Sequence, residues 1–333
     1  MRIAVTYDLR KDYLALGYTE EETAEFDSEL TVEALCEALT TLGYEPVRVG
    51  NIRALVVRLA AGERWDAAFN ICEGLKGVAR EAQVPALLEA YDIPYAFSDP
   101  LTLALSLDKA MAKRVVASHG VPTADFAVIE QERDLDRMGL PYPLFAKPVA
   151  EGSGKGVDAH SLVGNRCELV HTVRDLLRRF QQPVLVETFL PGREFTVGIT
   201  GTEASAEVFG VTEIRPLPNY VGHGYGLANK ETGWEDKVEI VLADPVNTAL
   251  AAEVALAAWR ALRCRDGGRV DIRCDGAGKH HFIEVNPLAG LRPHHSDLCL
   301  MAERKGVSYR ELIARIMSSF EQRQPHLKRR AAA

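Results

Sequence analysis

Two strand-like runs near the C-terminal end gather groups that bind cations. One reads Gly268-Arg269-Val270-Asp271-Ile272-Arg273-Cys274-Asp275 and the other His281-Phe282-Ile283-Glu284-Val285-Asn286, with the turn Asp275-Gly276-Ala277-Gly278 between them. On the first arm Val270, Ile272 and Cys274 form an apolar face and leave Arg269, Asp271 and Arg273 opposite. On the second Ile283 and Val285 are apolar, leaving Phe282, Glu284 and Asn286 on the other side. Strand side chains alternate between faces, so a shared core for the apolar sets brings Asp271, Glu284 and Asn286 together beside Arg269. Two carboxylates and an amide are hard oxygen donors of the kind Mg²⁺ takes while it bridges nucleotide phosphates. The same residues also fit a solvated strand face neutralised by Arg269 and Arg273.

A glycine-rich loop, Glu151-Gly152-Ser153-Gly154-Lys155-Gly156, lies between strand patterns at residues 143–149 and 157–162. A P-loop would place Ser or Thr after the lysine and run into a helix, and no dinucleotide fingerprint follows the first strand. The loop then fits either a flap whose backbone N–H groups cover phosphates or an ordinary glycine-rich hairpin. Lys147 ends the apolar run Leu144-Phe145-Ala146-Lys147-Pro148, where a buried lysine needs an anion. Lys109 follows Asp108 on a helical stretch, a spacing that an Asp/Lys pair on a wet face satisfies equally well.

The elements that would position these groups follow from periodicity. Residues 3–6, 46–49, 65–71 and 93–97 read as strands, with helices along 30–42 (capped by Asp27 or Ser28) and 82–91, the alternation of an open α/β sheet. A helix over 101–120 leads into a small α+β unit, with a helix at 166–180 and a strand at 184–189. Strands at 195–200 and 208–214 precede a polar, glycine-rich stretch at 215–236, long enough to suggest a lid or disorder. An Ala-rich helix at 245–262, the hairpin and two C-terminal helices complete the chain.

The chain has 333 residues, 47% of them hydrophobic, and a net charge of −8, which excludes disordered and collagen-like classes. That acidity argues against a nucleic-acid binder, and no window approaches the 18 apolar residues of a membrane span. The six cysteines are scattered without zinc spacing, and the start Met1-Arg2-Ile3-Ala4-Val5 reads as a strand, so a soluble, cytoplasmic protein is expected. The paired histidines at 280–281 and 294–295 point to opposite sides of an extended chain, which favours a non-metal reading.

Ala146-Lys147-Pro148, Glu151-Gly152-Ser153, Val186-Glu187-x-Phe189-Leu190-x-Gly192-x-Glu194, Gly268-Arg269-x-Asp271 and Glu284-x-Asn286 occur in the order found in ATP-grasp ligases. With Leu88-Glu89-Ala90-x-x-Ile93-Pro94-Tyr95-x-x-Ser98 and Ala104-Leu105-Ser106-Leu107-Asp108-Lys109, the set resembles the D-alanine–D-alanine ligase branch. The resemblance implies a three-domain ATP-grasp fold of α/β and α+β type, its N-terminal open parallel sheet followed by two α+β domains that hold the nucleotide. The expected boundaries are 1–103, 104–190 and 191–320, with a disordered tail at 321–333.

It also implies a carboxylate–amine ligase that forms a dipeptide through an acyl phosphate and releases ADP and phosphate. Lys109 and Lys147 would hold the α- and β-phosphates under the loop of Gly152, Ser153 and Gly154. Glu187 and the backbone near Phe189 and Leu190 would read adenine, and Glu194 the ribose. Asp271, Glu284 and Asn286 would bind two Mg²⁺ ions, or Mn²⁺. Arg269, Ser153, Lys230 and Glu25 are the catalytic candidates, Lys230 reaching the γ-phosphate and Glu25 the first substrate's amino group, with Asp27 or Glu29 as alternatives. The partners would be small amino acids, in a homodimer.

The substrate side departs from the pattern H-G-x-x-G-E-D-G, because the chain reads Glu73-Gly74-Leu75-Lys76-Gly77 and lacks the histidine. After Asn286 comes a bulkier, more basic run that includes Gly290, Arg292 and His295, which suggests a second substrate with a longer side chain or an extra carboxylate. The alternatives are the same chemistry on other amino acids or amines, and an inactive ATP-binding regulator.

Overall fold

The computed structural model describes residues 1–217, 238–325 and 327, and within them the chain folds around three sheets. The first is fully parallel in the order β2-β1-β3-β4, with β1 at Arg2–Tyr7, β2 at Glu45–Gly50, β3 at Ala67–Ile71 and β4 at Tyr95–Ala96. Ile3, Ala4, Val5, Ala67, Ala68 and Phe69 are all buried, as in strands covered on both faces. The helix Glu29–Thr41 buries Val32, Leu35, Ala38 and Leu39 along one stripe, and Ser28, not Asp27, caps it by accepting from the Thr31 N–H. Two short helices escape the sequence pattern, Arg10–Ala15 and Ile52–Ala60.

The second sheet is antiparallel, in the order β5-β8-β6-β7, with β5 at Phe126–Ile129, β6 at Leu144–Pro148, β7 at Leu162–Val163 and β8 at Val184–Thr188. The helix Arg166–Phe180 packs Leu169, Val173 and Leu176 against Leu144, Ala146 and Val186. The strand expected at 157–162 shrinks to Leu162–Val163, because Asp158 and Ser161 close a turn through their own side chain and backbone.

The third sheet runs β11-β10-β9-β12-β13, antiparallel throughout, with β9 at Glu194–Thr200, β10 at Glu207–Pro216, β11 at Val238–Leu242, β12 at Gly267–Cys274 and β13 at His280–Asn286. The helix Pro245–Ala261 covers one face and buries Trp259 completely. A Cβ at Gly268 would lie 2.5 Å from the Asn286 carbonyl and 2.9 Å from the Trp259 ring, so only glycine lets this helix and hairpin approach. The helices Asp297–Arg304 and Tyr309–Arg323 cover the other side and join the first sheet, where Met301, Ile316 and Phe320 share a core with Val5, Leu35 and Phe69. The last helix thus runs to Arg323, and Leu327 is buried in the same core.

Two elements near the site differ from the sequence pattern. The helix expected over 101–120 is two helices, Pro100–Leu107 and Lys109–Ser118. Asp108 breaks it, with extended backbone at φ −82° and ψ 98°, and caps the second helix by accepting from the Met111 N–H. The hairpin carries a bulge: Asp271 faces Glu284 but Ile272 faces Phe282, so Ile283 is the extra residue. Phe282, expected on the polar face, is fully buried, and Ile283 turns toward the site.

Candidate active site

The bulge leaves the chemistry-bearing face intact. Arg269 pairs with Asn286 across the hairpin and Asp271 with Glu284, so both carboxylates and the amide stand on one surface. Arg269 forms an ion pair with Asp271 and lies 3.5 Å from Asp297. Burial works against the guanidinium's charge, but Asp271, Asp297 and Glu284 outweigh it and hold its pKa above the usual range. Among the described residues no three His, Cys, Asp or Glu side chains gather as a metal cluster. The candidate donor set is two carboxylates and one amide.

A cleft of about 120 Å³ opens between the second and third sheets. Lys147 on β6 and Glu187 on β8 lie at one end, 3.0 Å apart, and Lys113 from the helix Lys109–Ser118 reaches the same carboxylate at 2.9 Å. The anion demanded by the buried Lys147 is therefore supplied within the protein. Burial alone would raise the Glu187 pKa, yet Lys113 and Lys147 hold it down to about 2. Burial lowers the pKa of Lys113, whereas for Lys147 the attraction of Glu187 and Glu284 overcomes it and raises the value. The slot's apolar walls include Phe145, Phe189, Leu190 and Ile283, with Phe145 and Phe189 stacked at 6.4 Å and Arg273 lying 5.2 Å over Phe189. Glu194 sits at the rim, 3.3 Å from Arg273. An apolar slot ending in an ionised acceptor suits a planar base that donates hydrogen bonds.

A second cavity of about 300 Å³ lies between the first sheet and the hairpin. Glu25, Asp27 and Glu81 approach from one side, and Gly290, Arg292 and His295 from the other. Lys109, Glu151, Arg269, Glu284 and Asp297 line both spaces and so form the passage between them. The break at Asp108 sets Lys109 at the start of its helix, where it donates to the Glu151 carbonyl and lies 3.5 Å from Glu284.

Glu25 lies behind the glycine loop. Arg80 and Lys155 lie 3.1 Å and 3.0 Å from its Oε2, and Lys155 also pairs with Glu151. Burial would raise the Glu25 pKa, but these two cations bring it below the usual carboxylate range. A Cβ on Gly152 would fall 2.0 Å from Glu25 Oε1, so a side chain there would displace the Glu25 carboxylate. Ser153 lines the larger cavity, with Gly152. Other acids on this wall keep their protons more readily: burial and Asp8 push Asp27 up to about 8, and Glu81 is raised to about 7 by burial despite Arg80. Glu29, the remaining alternative, is tied to Lys11 at 2.7 Å and also to Arg48, outside the cavity lining.

Lys230 lies outside the described residues, as does most of the polar stretch that holds it. The histidine pairs diverge: His280 stacks on Phe195 at 5.3 Å while His281 meets Asp275 at 3.0 Å, and His294 meets Glu303 while His295 faces the cavity. Three cations had no role assigned from sequence, namely Lys113, Arg80 and Lys155 of the glycine loop. Lys113 left a signal, its four-residue spacing from Lys109, which places both on one helix side.

Two α+β sheets facing each other across a slot, a glycine loop over it and an acidic hairpin at its floor define the ATP-grasp class. Residues 115–318 match the family model described as D-ala D-ala ligase C-terminus. A D-alanine–D-alanine ligase of Gluconobacter oxydans is 33% identical over 284 residues, covering 84% of this chain and 89% of that one. An uncharacterized protein of Sinorhizobium fredii is 31% identical over 255 residues, 75% of this chain and 73% of its own. Among solved structures, the Bacillus anthracis D-alanine–D-alanine ligase complexed with ATP superposes with a TM-score of 0.73 at 20% identity, covering 98% of this chain and 99% of that one. The chain belongs to the D-alanine–D-alanine ligase family.

Proposed function

We propose that the protein is an ATP-dependent carboxylate–amine ligase that joins two amino acids of the D-alanine type. The observation that carries this reading is the passage of Lys109, Arg269 and Glu284 between a base-sized slot and a separate acid-walled cavity. Two reactants bound in those spaces would meet at a guanidinium and an ammonium, which stabilise charge on a transferring phosphoryl group.

In this reading the slot takes adenine, with Glu187 and the backbone near Phe189 and Leu190 as its polar partners and Glu194 on the ribose. Lys109 and Lys147 neutralise the α- and β-phosphates, and the loop of Gly152, Ser153 and Gly154 excludes water. Asp271, Glu284 and Asn286 would hold Mg²⁺ or Mn²⁺, which supplies positive charge at the phosphates when bound. A substrate carboxylate oxygen attacks the γ-phosphorus as the bond to the ADP oxygen breaks. The amine of the second amino acid then attacks the acyl carbon, phosphate leaves, the amine loses a proton and an amide remains. Arg269 is placed to oppose the negative charge that develops in both steps, and the Ser153 and Lys230 roles are carried by the resemblance.

Of the acids on this wall Glu25 keeps its charge and suits the first substrate's ammonium, with Asp27 and Glu81 beside it. Arg292 and His295, on the opposite side, favour a second reading with another amine substrate, one that carries a longer or acidic side chain. A cytoplasmic homodimer belongs to this proposal on the family resemblance, and light scattering measures its mass. The discriminating experiment is ADP release with ATP, Mg²⁺ and a panel of amino acids. D-Alanine as the best substrate supports the first reading, preference for a larger or acidic amino acid the second, and no stimulation by any amine contradicts both.

A further inference from the structure

Glu187 is shared by two buried lysines that differ in their surroundings. Lys113 is 0% exposed: its ammonium donates to Thr123 Oγ1 at 2.8 Å and to the Phe282 carbonyl at 3.4 Å, and it lies 2.9 Å from Glu187 Oε2 as an ion pair. Thr123 is itself fixed, donating to the Phe282 carbonyl at 2.9 Å. The two hydrogen bonds from Lys113 hold its ammonium in place beside the carboxylate. Lys147 lies on the open side of the same carboxylate, lines the slot, and approaches Glu187 Oε1 at 3.0 Å.

We infer that Lys113 is a positioning residue, the permanent counter-ion of Glu187, which lets Lys147 leave that carboxylate for the nucleotide phosphates. The inference rests on the ligase reading above. With Lys147 as its sole partner, Glu187 would become an uncompensated buried charge each time Lys147 turned to a phosphate, and nucleotide binding would carry that penalty. Lys113 removes it. The carboxylate stays ionised and acceptor-only through the exchange, the state needed to receive a hydrogen bond from an adenine amino group. Lys113 acts through Glu187 and Lys147, from behind the slot wall, without touching nucleotide.

The test is a double-mutant cycle on the full chain: wild type, Lys113→Met, Glu187→Gln and the double variant, each read by ATP calorimetry and by KM and kcat. Lys113→Met is expected to raise KM for ATP about tenfold with kcat changed by less than about twofold, because binding and not the chemical step loses its support. In the Glu187→Gln background, where no carboxylate needs a counter-ion, the same change is expected to add less than about threefold. An unchanged KM in Lys113→Met, or an equal penalty in both backgrounds, overturns the inference. Should Lys113→Met fail to fold, Thr123→Val loosens the lysine's seat, and there a KM rise of about threefold supports the inference while no rise overturns it. Wild-type protein that binds no ATP contradicts the ligase reading itself; wild type and variant binding equally well contradict the inference alone.

Discussion

Lys155 Nζ lies 3.0 Å from Glu25 Oε2, so the tip of the glycine loop is tied to the first sheet's long loop at a carboxylate that also holds Arg80. Both members of the Lys155–Glu25 pair are only 8% exposed at their side chains, which shields the contact from solvent and salt. The loop is thus anchored where an entering substrate ammonium would compete for Glu25. Lys155→Met is expected to free the loop and increase proteolytic nicking within residues 151–156, while raising KM for ATP several-fold, about threefold to tenfold. Limited proteolysis with sequencing of the cut site checks it; a loop as resistant as the wild type's would separate Lys155 from loop order.

Gly152 supplies a second handle on the same contact. An alanine Cβ there falls 2.0 Å from Glu25 Oε1, so the carboxylate must shift and its contacts with Arg80 and Lys155 with it. Gly152→Ala is expected to cost activity by about tenfold or more with a melting temperature near that of the wild type, since the clash meets the movable end of a side chain and not backbone. Pairing it with Glu25→Asp, which draws the carboxylate back while keeping its charge for Lys155, should recover part of the loop order seen by proteolysis.

Glu187 makes stability depend on acid. Its pKa falls from 4.5 to about 2 in the folded protein, so its ion pairs contribute fully above pH 4.5 and are lost as pH drops towards 2. Glu187→Gln leaves two buried lysines uncompensated and is expected to lower stability by about 3 to 5 kcal/mol at pH 7. Denaturant melts across this range should show the gap narrowing below pH 4.5; a constant gap would assign the loss to packing.

Asp27 behaves in the opposite sense. Its pKa rises from 3.8 to about 8 through burial and the neighbouring Asp8, so the folded state retains a proton that the unfolded chain releases. Stability from this group is complete below pH 3.8 and declines as pH rises to about 8. Asp27→Asn is therefore expected to raise the melting temperature at pH 8 and to leave it unchanged at pH 4. Equal shifts at both pH values would mean the carboxyl titrates normally.

Arg269 stands between the two cavities with Asp271 and Asp297 around it. Arg269→Lys keeps one charge but loses the planar fork, and kcat is expected to fall by about 10² or more with a smaller change in ATP affinity. Single-turnover phosphate release separates this from a binding defect.

The hairpin face was readable because strand alternation is local: Asp271, Glu284 and Asn286 needed only their own neighbours to be placed. The same rule failed at Phe282 and Ile283, where two adjacent apolar residues offer either one to the core and the bulge decides. The break at Asp108 hid inside a continuous helical pattern, although an Asp three residues before Met111 is a capping signal. The partners of Glu25 were beyond reach, since Arg80 is distant in sequence within the same unit, Lys155 comes from the second, and both meet it only through the assembled fold. Glu187 and Lys147 were each found, but their mutual pairing depends on the register of β6 against β8, in which Phe145 lies opposite Glu187.

In the proposed ligase reaction a substrate carboxylate attacks the γ-phosphorus of ATP. D-Alanine labelled with ¹⁸O in its carboxylate, turned over with ATP and Mg²⁺, should yield inorganic phosphate carrying one ¹⁸O atom together with ADP and a dipeptide, all read by mass spectrometry. Phosphate released without the label would mean that water attacks the nucleotide, and the ligase mechanism would be wrong.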